Sequence, residues 1–227
     1  MLPGRRRAGC AGPRFGPTSE VPSPSALLET FVLLVAVIDP VGTLPVFLAV
    51  TAHHAESERT GIAVRAVAIA AGILIFFIVA GQWLLNAMHV PLAAFQVSGG
   101  VVLFLFALTM VFGDGKLASE LEAAKGGTET AIFPLAVPSI ASPGAMMAVV
   151  LLTDNARYSL VEQAMTTLVL LVVLALTLLL LLAAPWLHRR LGDSGASIVS
   201  RVMGLVLAAV ATTFILDGLR EYFAAHG

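Results

Sequence analysis

Apolar residues run through this chain in long blocks, without the alternation of a half-buried strand or the narrow stripe of a surface helix. Six blocks approach the roughly 20 residues that a bilayer crossing needs. They cover residues 26–52, 62–85, 92–112, 132–153, 164–187 and 198–216. The fifth is the plainest, because no charge occurs from Leu168 to Pro185. The short link around His89-Val90-Pro91 makes the second and third blocks a tight helical hairpin. The longest polar connection, 113–130, carries Asp114, Lys116, Glu120, Glu122, Lys125 and Glu129 and separates two sets of three. The pattern predicts an all-α, polytopic membrane protein with six transmembrane helices. Three crossings per half make the second half enter from the opposite face, so two inverted three-helix repeats are expected, about 26–112 and 131–219. Weak self-similarity agrees: Ser98-Gly99-Gly100 before 101–112 parallels Arg201-Val202-Met203-Gly204 before 205–216.

The first block of each half is interrupted. One break reads Asp39-Pro40-Val41-Gly42-Thr43-Leu44-Pro45, and the other runs from Pro134 through Pro138 to Ser142-Pro143-Gly144. Hydrocarbon offers no water to a freed backbone group, so such breaks must be surrounded by protein or line a wet cavity. Paired interrupted segments at matching places in two halves are the best sequence pointer to a transport site. Asp39-Pro40 and Ser142-Pro143 both read as helix starts, with an acceptor at N-cap and proline at the first helical position. Each block is therefore expected to be two half-helices, the second starting inside the membrane with unpaired N–H groups and a positive dipole end. Gly42 and Gly144 would let backbone approach closely. The expected substrate-binding residues are Asp39, Pro40, Gly42, Thr43 and Pro45 on one wall, and Pro138, Ser142, Pro143 and Gly144 on the other, around a hydrated pocket. The bland alternative is a pair of proline kinks re-satisfied by neighbouring helices. Asp39 has four candidate roles: a cap, a silent protonated acid, the partner of a buried cation, or a carrier of a coupling proton.

Composition sharpens this picture. Hydrophobic residues make up 58% and charged residues 12% of 227 positions, against about 45–50% and 25% in soluble domains. A formal net charge of -1 gives no reason to expect nucleic acid. The partners expected are the lipid bilayer and a small solute. A single cysteine, Cys10, excludes an intrachain disulfide and a thiolate metal cluster. Residues 1–25, rich in Gly, Pro, Arg and Ser, read as a disordered tail; a cleaved signal peptide is the competing reading. Positive residues favour cytoplasmic loops. The connections after the first, third and fifth blocks carry or border Arg59, Arg65, Lys116, Lys125, Arg189, Arg190 and Arg201, against Arg157 and Arg220 opposite. The tail adds Arg5, Arg6, Arg7 and Arg14 to the smaller set, well before the first block. The balance places both termini outside the cytoplasm.

Other polar positions have plain readings. Ser98-Gly99-Gly100 and Gly204 suit close helix packing. Asp217 beside Arg220 suits a surface pair. His53-His54 with Glu56 and Glu58 suit a solvated face better than a metal site. Trp83 and Trp186 suit interfacial anchors. Gln82, Asn86, Gln96 and Gln163 lie in or beside the blocks. No P-loop, dinucleotide fingerprint or zinc-binding histidine pair occurs. The chain is expected not to be an enzyme and to use neither cofactor nor metal.

Four ordered stretches resemble the MarC family of bacterial inner-membrane proteins. They are Ile38-Asp39-Pro40-Val41-Gly42-Thr43-Leu44-Pro45-Val46-Phe47, Val97-Ser98-Gly99-Gly100-Val101, Phe133-Pro134 through Pro143-Gly144, and Ser200-Arg201-Val202-Met203-Gly204-Leu205 continuing to Leu216-Asp217-Gly218. The resemblance spans about residues 26–222. It implies six crossings in one multi-pass unit of the cytoplasmic membrane, distantly similar to the amino-acid and cation exporters grouped with LysE. Ser142 stands where that family usually has glycine, and the first break varies there between Asn and Asp, which favours a cap over an obligatory charge at Asp39. The expected function is gradient-driven or passive export or transport of a small polar or charged solute. The alternative is a non-transporting membrane factor, a scaffold or assembly partner.

Overall fold

A computed structural model describes residues 22–52, 54–112, 131–155 and 157–226. The expectations for the tail up to residue 21, for the loop 113–130 and for His53 lie outside the described residues. Every described element is helical. The chain forms α1 (Pro24–Ile38), α2 (Pro40–Val50), α3 (Glu56–Ala87), α4 (Leu92–Phe112), a π-helical stretch (Ala131–Ile140), α5 (Pro143–Leu152) and α6 (Leu160–His226).

Local chemistry sets the ends. Ser23 caps α1, its Oγ accepting from Ala26 N at 3.3 Å, with Pro24 in the first turn. Helix therefore begins two residues inside the segment expected to be tail. Glu58 reaches back to accept from Ala55 N at 3.2 Å and closes the first turn of α3. His89, at φ 55, turns the chain sharply between α3 and α4.

Five stretches are long and apolar enough to cross a membrane: Pro24–Val50 taken through its break, Glu56–Ala87, Leu92–Phe112, Leu160–Leu187 and Arg201–Ala224. The expected fourth crossing, 132–153, is not one continuous span. It is a 10-residue π-helical stretch followed by the 10-residue α5. Pro134 and Pro138 account for this departure from the expected α-helical half. In an α-helix the Pro138 ring would meet the carbonyl of Pro134. The wider turn is visible in the bond from Ala141 N to Ala136 O, 2.9 Å across five residues.

Two separate crossings stand where the fifth and sixth blocks predict them, and the link between them has helical local backbone. Helix runs through it, and α6 has 67 residues. A straight helix of that length would reach about 100 Å, yet Arg157, just before α6, pairs with Glu221 near its end. The helical run must therefore double back between Leu187 and Arg201. No proline lies in that interval to stop the helix.

The broken first segment is the most buried of the spanning stretches. It packs against α6 and α5, while α3 backs the π-helical stretch and α5. Leu34, Val37, Ile38, Val46, Phe47, Leu74, Leu103, Met110, Met147, Leu170 and Leu181 fill the interior. The outer surface remains apolar, with Val32, Phe76, Val79, Leu105, Leu168, Leu179 and Leu205 exposed. A surface of this extent is intelligible only against lipid or protein. Trp83 and Trp186 are exposed at span ends, where interfacial rings belong.

Candidate functional site

Both interruptions are real, and they touch. Asp39 occupies the first alone: its N–H closes α1 on Val35 O at 3.0 Å, and its carboxylate opens α2. Oδ1 accepts from Gly42 N at 3.0 Å, in the third position of α2. This double duty puts Asp39 at φ 50, a left-handed conformation that aspartate tolerates better than most residues. At the second break Ser142 caps α5, its Oγ accepting from Ala145 N at 3.1 Å, again in the third position. Pro40 and Pro143 both stand at the first helical position. By helix rise, α1 and α2 extend about 22 and 16 Å either side of Asp39. The interruption therefore lies near the middle of this broken stretch.

The two walls meet through three named contacts. Ser139 Oγ donates to Thr43 Oγ1 at 3.2 Å, and Ser142 Oγ approaches Val37 O at 3.4 Å. Gly144 lies so close that a Cβ there would stand 3.3 Å from Val37 Cγ1 and 2.6 Å from Leu103 Cδ1. Asp39, Pro40, Gly42, Thr43, Ser142 and Gly144 are buried, Pro45 and Pro138 are half-buried, and Pro143 is exposed. Pro45 sits inside α2, beyond the break itself.

The hydrated pocket expected between the walls is replaced by direct contact. Asp39, Thr43, Ser139 and Ser142 expose between 0% and 3% of their surface. A cavity of about 220 Å³ lies beside the second break instead. Val102, Leu103, Phe106, Pro138, Ser142, Pro143 and Gly144 line it, and its walls are mostly apolar. Within the contact, Asp39 Oδ2 is buried and has no hydrogen-bond partner among the described residues.

Two features escaped the sequence reading. Ser139 lies inside the second break, and only the π-helical turn brings it to Thr43. The second feature is a polar seam where α3, the link before α6 and the end of α6 converge. Gln82 Nε2 donates to Asp154 Oδ1 at 2.7 Å, and Gln82 Oε1 accepts from Asn155 N at 3.1 Å. Asn155 Oδ1 accepts from Gln163 Nε2 at 2.8 Å. Arg157 Nε lies 3.3 Å from Asp154 and its guanidinium pairs with Glu221. Hydrogen bonding to Glu221 is the main cause holding the Arg157 pKa above its usual value. Both partners of that pair are well exposed, so it adds at most about 1 kcal/mol. A cleft of about 500 Å³ opens over the seam.

The family model of the MarC family integral membrane proteins matches residues 25–223. The chain belongs to the MarC family. A UPF0056 membrane protein of Methanocaldococcus jannaschii is 34% identical over 200 residues, covering 85% of this chain and 97% of that one. The UPF0056 inner membrane protein YhgN of Escherichia coli is 33% identical over 196 residues, covering 86% and 97% respectively. A UPF0056 membrane protein of Aquifex aeolicus is 32% identical over 199 residues, covering 86% and 92%. No solved structure matches the chain. This MarC family member is thus an integral membrane protein, and both breaks lie within the matched region.

Proposed function

We propose that this MarC family protein is a transporter or exporter of a small polar or charged solute, gradient-driven or passive, held where the two breaks meet. The supporting observation is the direct junction of two capped helix starts midway along the broken stretches, with one polar atom of Asp39 left without a partner among the described residues. Irregular backbone inside a membrane is tolerated when protein surrounds it, but a polar atom left unsatisfied there carries a cost that a bound solute would remove. The π-helical stretch and α5 together make the fourth crossing, which brings the total to six, and the two sets of three form inverted halves. α1 pairs with α5 and α2 with the π-helical stretch, the exchange that inverted halves require. The closely packed junction is then the closed state, and a solute enters when the halves part. Arg59, Arg65 and Arg201 border one face of this arrangement, the cytoplasmic one, leaving both termini outside.

The test is flux into vesicles containing the purified protein, offered amino acids, organic acids and small cations separately. One class is expected to move, and Ser142→Ala is expected to slow it about 5- to 150-fold, the equivalent of about 1–3 kcal/mol for an unsatisfied buried group. If none of the panel moves, and cells lacking the protein hold unchanged solute levels, the transport reading fails. A non-transporting scaffold or assembly partner would then take its place.

A further inference from the structure

We infer that the junction of the two breaks binds one dehydrated alkali-metal cation, on the carboxylate of Asp39. This deepens the solute-site reading above and rests on it for the assignment of the junction.

The argument begins with charge. At the first break the negative end of α1 meets the positive end of α2. The π-helical stretch meets the start of α5 in the same sense. The opposite partial charges of adjoining helix ends largely cancel, so the carboxylate of Asp39 dominates the local charge. It is 1% exposed. Oδ1 is used by the cap, while Oδ2 is enclosed with no hydrogen-bond donor among the described residues. No Lys, Arg or His is among the buried side chains described. A charge taken from water into a membrane protein's interior without a partner is strongly destabilising. An outside cation supplies the partner that no described side chain gives it.

The donor atoms define the class of cation. The junction's own oxygens are the hydroxyls of Thr43, Ser139 and Ser142 and the carbonyl of Val37, now bonded to one another and to backbone, which an entering cation would draw on. Pro40 has no N–H to offer the carbonyl of Ala36, four residues back. All of these are hard oxygen donors, with neither sulfur nor imidazole among them. Softer transition metals prefer those other ligands. Magnesium keeps several waters when it binds, and calcium takes six to eight oxygen ligands, commonly from several carboxylates. A single carboxylate in a closely packed junction matches one positive charge. Interrupted helices use unwound carbonyls and carboxyl ends of half-helices for such ions in other transporter architectures.

The experiment is equilibrium binding of radioactive sodium to the purified full chain, in detergent and in vesicles, with potassium and choline as competitors. Asp39→Asn is the decisive variant. Asparagine keeps the cap and tolerates the left-handed backbone, so the fold is retained while the charge is removed. Wild type is expected to bind sodium saturably, choline not to compete, and Asp39→Asn to weaken binding by at least about tenfold. Ser139→Ala, which leaves the charge in place, is expected to weaken it less and to shift the preference between sodium and potassium. Equal sodium binding by wild type and Asp39→Asn overturns the inference, as does no saturable binding by a wild type that remains folded. Flux of another solute without sodium binding would overturn this inference alone. Sodium binding lost in Asp39→Asn, with no flux of any solute, would uphold it and remove the transport reading.

Discussion

Alanine at position 42 is expected to destabilise the protein by about 2–4 kcal/mol, the sum of a lost cap and a buried carboxylate forced from its place. A Cβ on Gly42 would stand 2.7 Å from Asp39 Cγ and closer still to Oδ2. The carboxylate folds directly over this residue, so the two cannot coexist. Because Asp39 is enclosed, the displaced group has no water to reach. The pairwise origin of the loss has its own check in a double-mutant cycle. Asp39→Gly removes the obstructing carboxylate and suits φ 50. Adding Asp39→Gly to Gly42→Ala should therefore cost less than the two single losses added together. Unfolding measured in mixed micelles reads all three variants. Additive losses would show that the carboxylate does not lie over Gly42.

Valine at Gly204 should part the last span from α4, at a cost of about 1–3 kcal/mol for overpacking. Three glycines allow these two spans to approach at backbone distance. A Cβ on Gly204 would stand 2.9 Å from Met110 Cβ and 3.1 Å from Ala107 O. One on Gly100 would meet Ala211 O at 3.1 Å, and one on Gly218 would meet Ala93 O at 2.9 Å. Carbonyl oxygens of a helix cannot swing aside as a side-chain tip can, so the whole span has to move. Small residues at a shared seam are the usual means of close association in lipid. Gly72 is the control: nothing lies within 4 Å of a Cβ there. Gly72→Ala should leave stability unchanged or raised by about 0.4–1 kcal/mol. Equal losses at positions 72 and 204 would mean that intrinsic helix preference, not contact, is being measured.

Much of the architecture was legible because hydrocarbon demands so little variety. A charge-free run such as 168–185 has few structural readings, and an acceptor followed by proline states a helix start in two residues. The caps at Asp39 and Ser142 therefore follow from local grammar, as do the packing roles of Gly100 and Gly204. What remained hidden depended on contacts distant in sequence. The widened turn before Ser142 comes from Pro134 and Pro138 acting together, and it decides that Ser139 meets Thr43, 96 positions away. The run between Leu187 and Arg201 reads as a connection because it is polar, and the chain does turn back there; what the sequence hides is that its local backbone is helical. Gln82 reads in the sequence only as a polar residue in or beside a block; folding brings it 2.7 Å from Asp154, 72 positions away. The space between the breaks was the least legible part. Sequence shows that backbone groups are freed there, but not how tightly neighbours close over them.

Disulfide trapping across the junction tests the central claim directly. Thr43→Cys with Ser139→Cys, in a chain whose Cys10 is replaced by serine, puts two sulfurs where oxygens now lie 3.2 Å apart. A membrane-permeant oxidant should join them, stop flux of the transported solute, and release it again on reduction. Full cross-linking with flux undiminished would contradict the account, and so would a folded double variant whose sulfurs never meet.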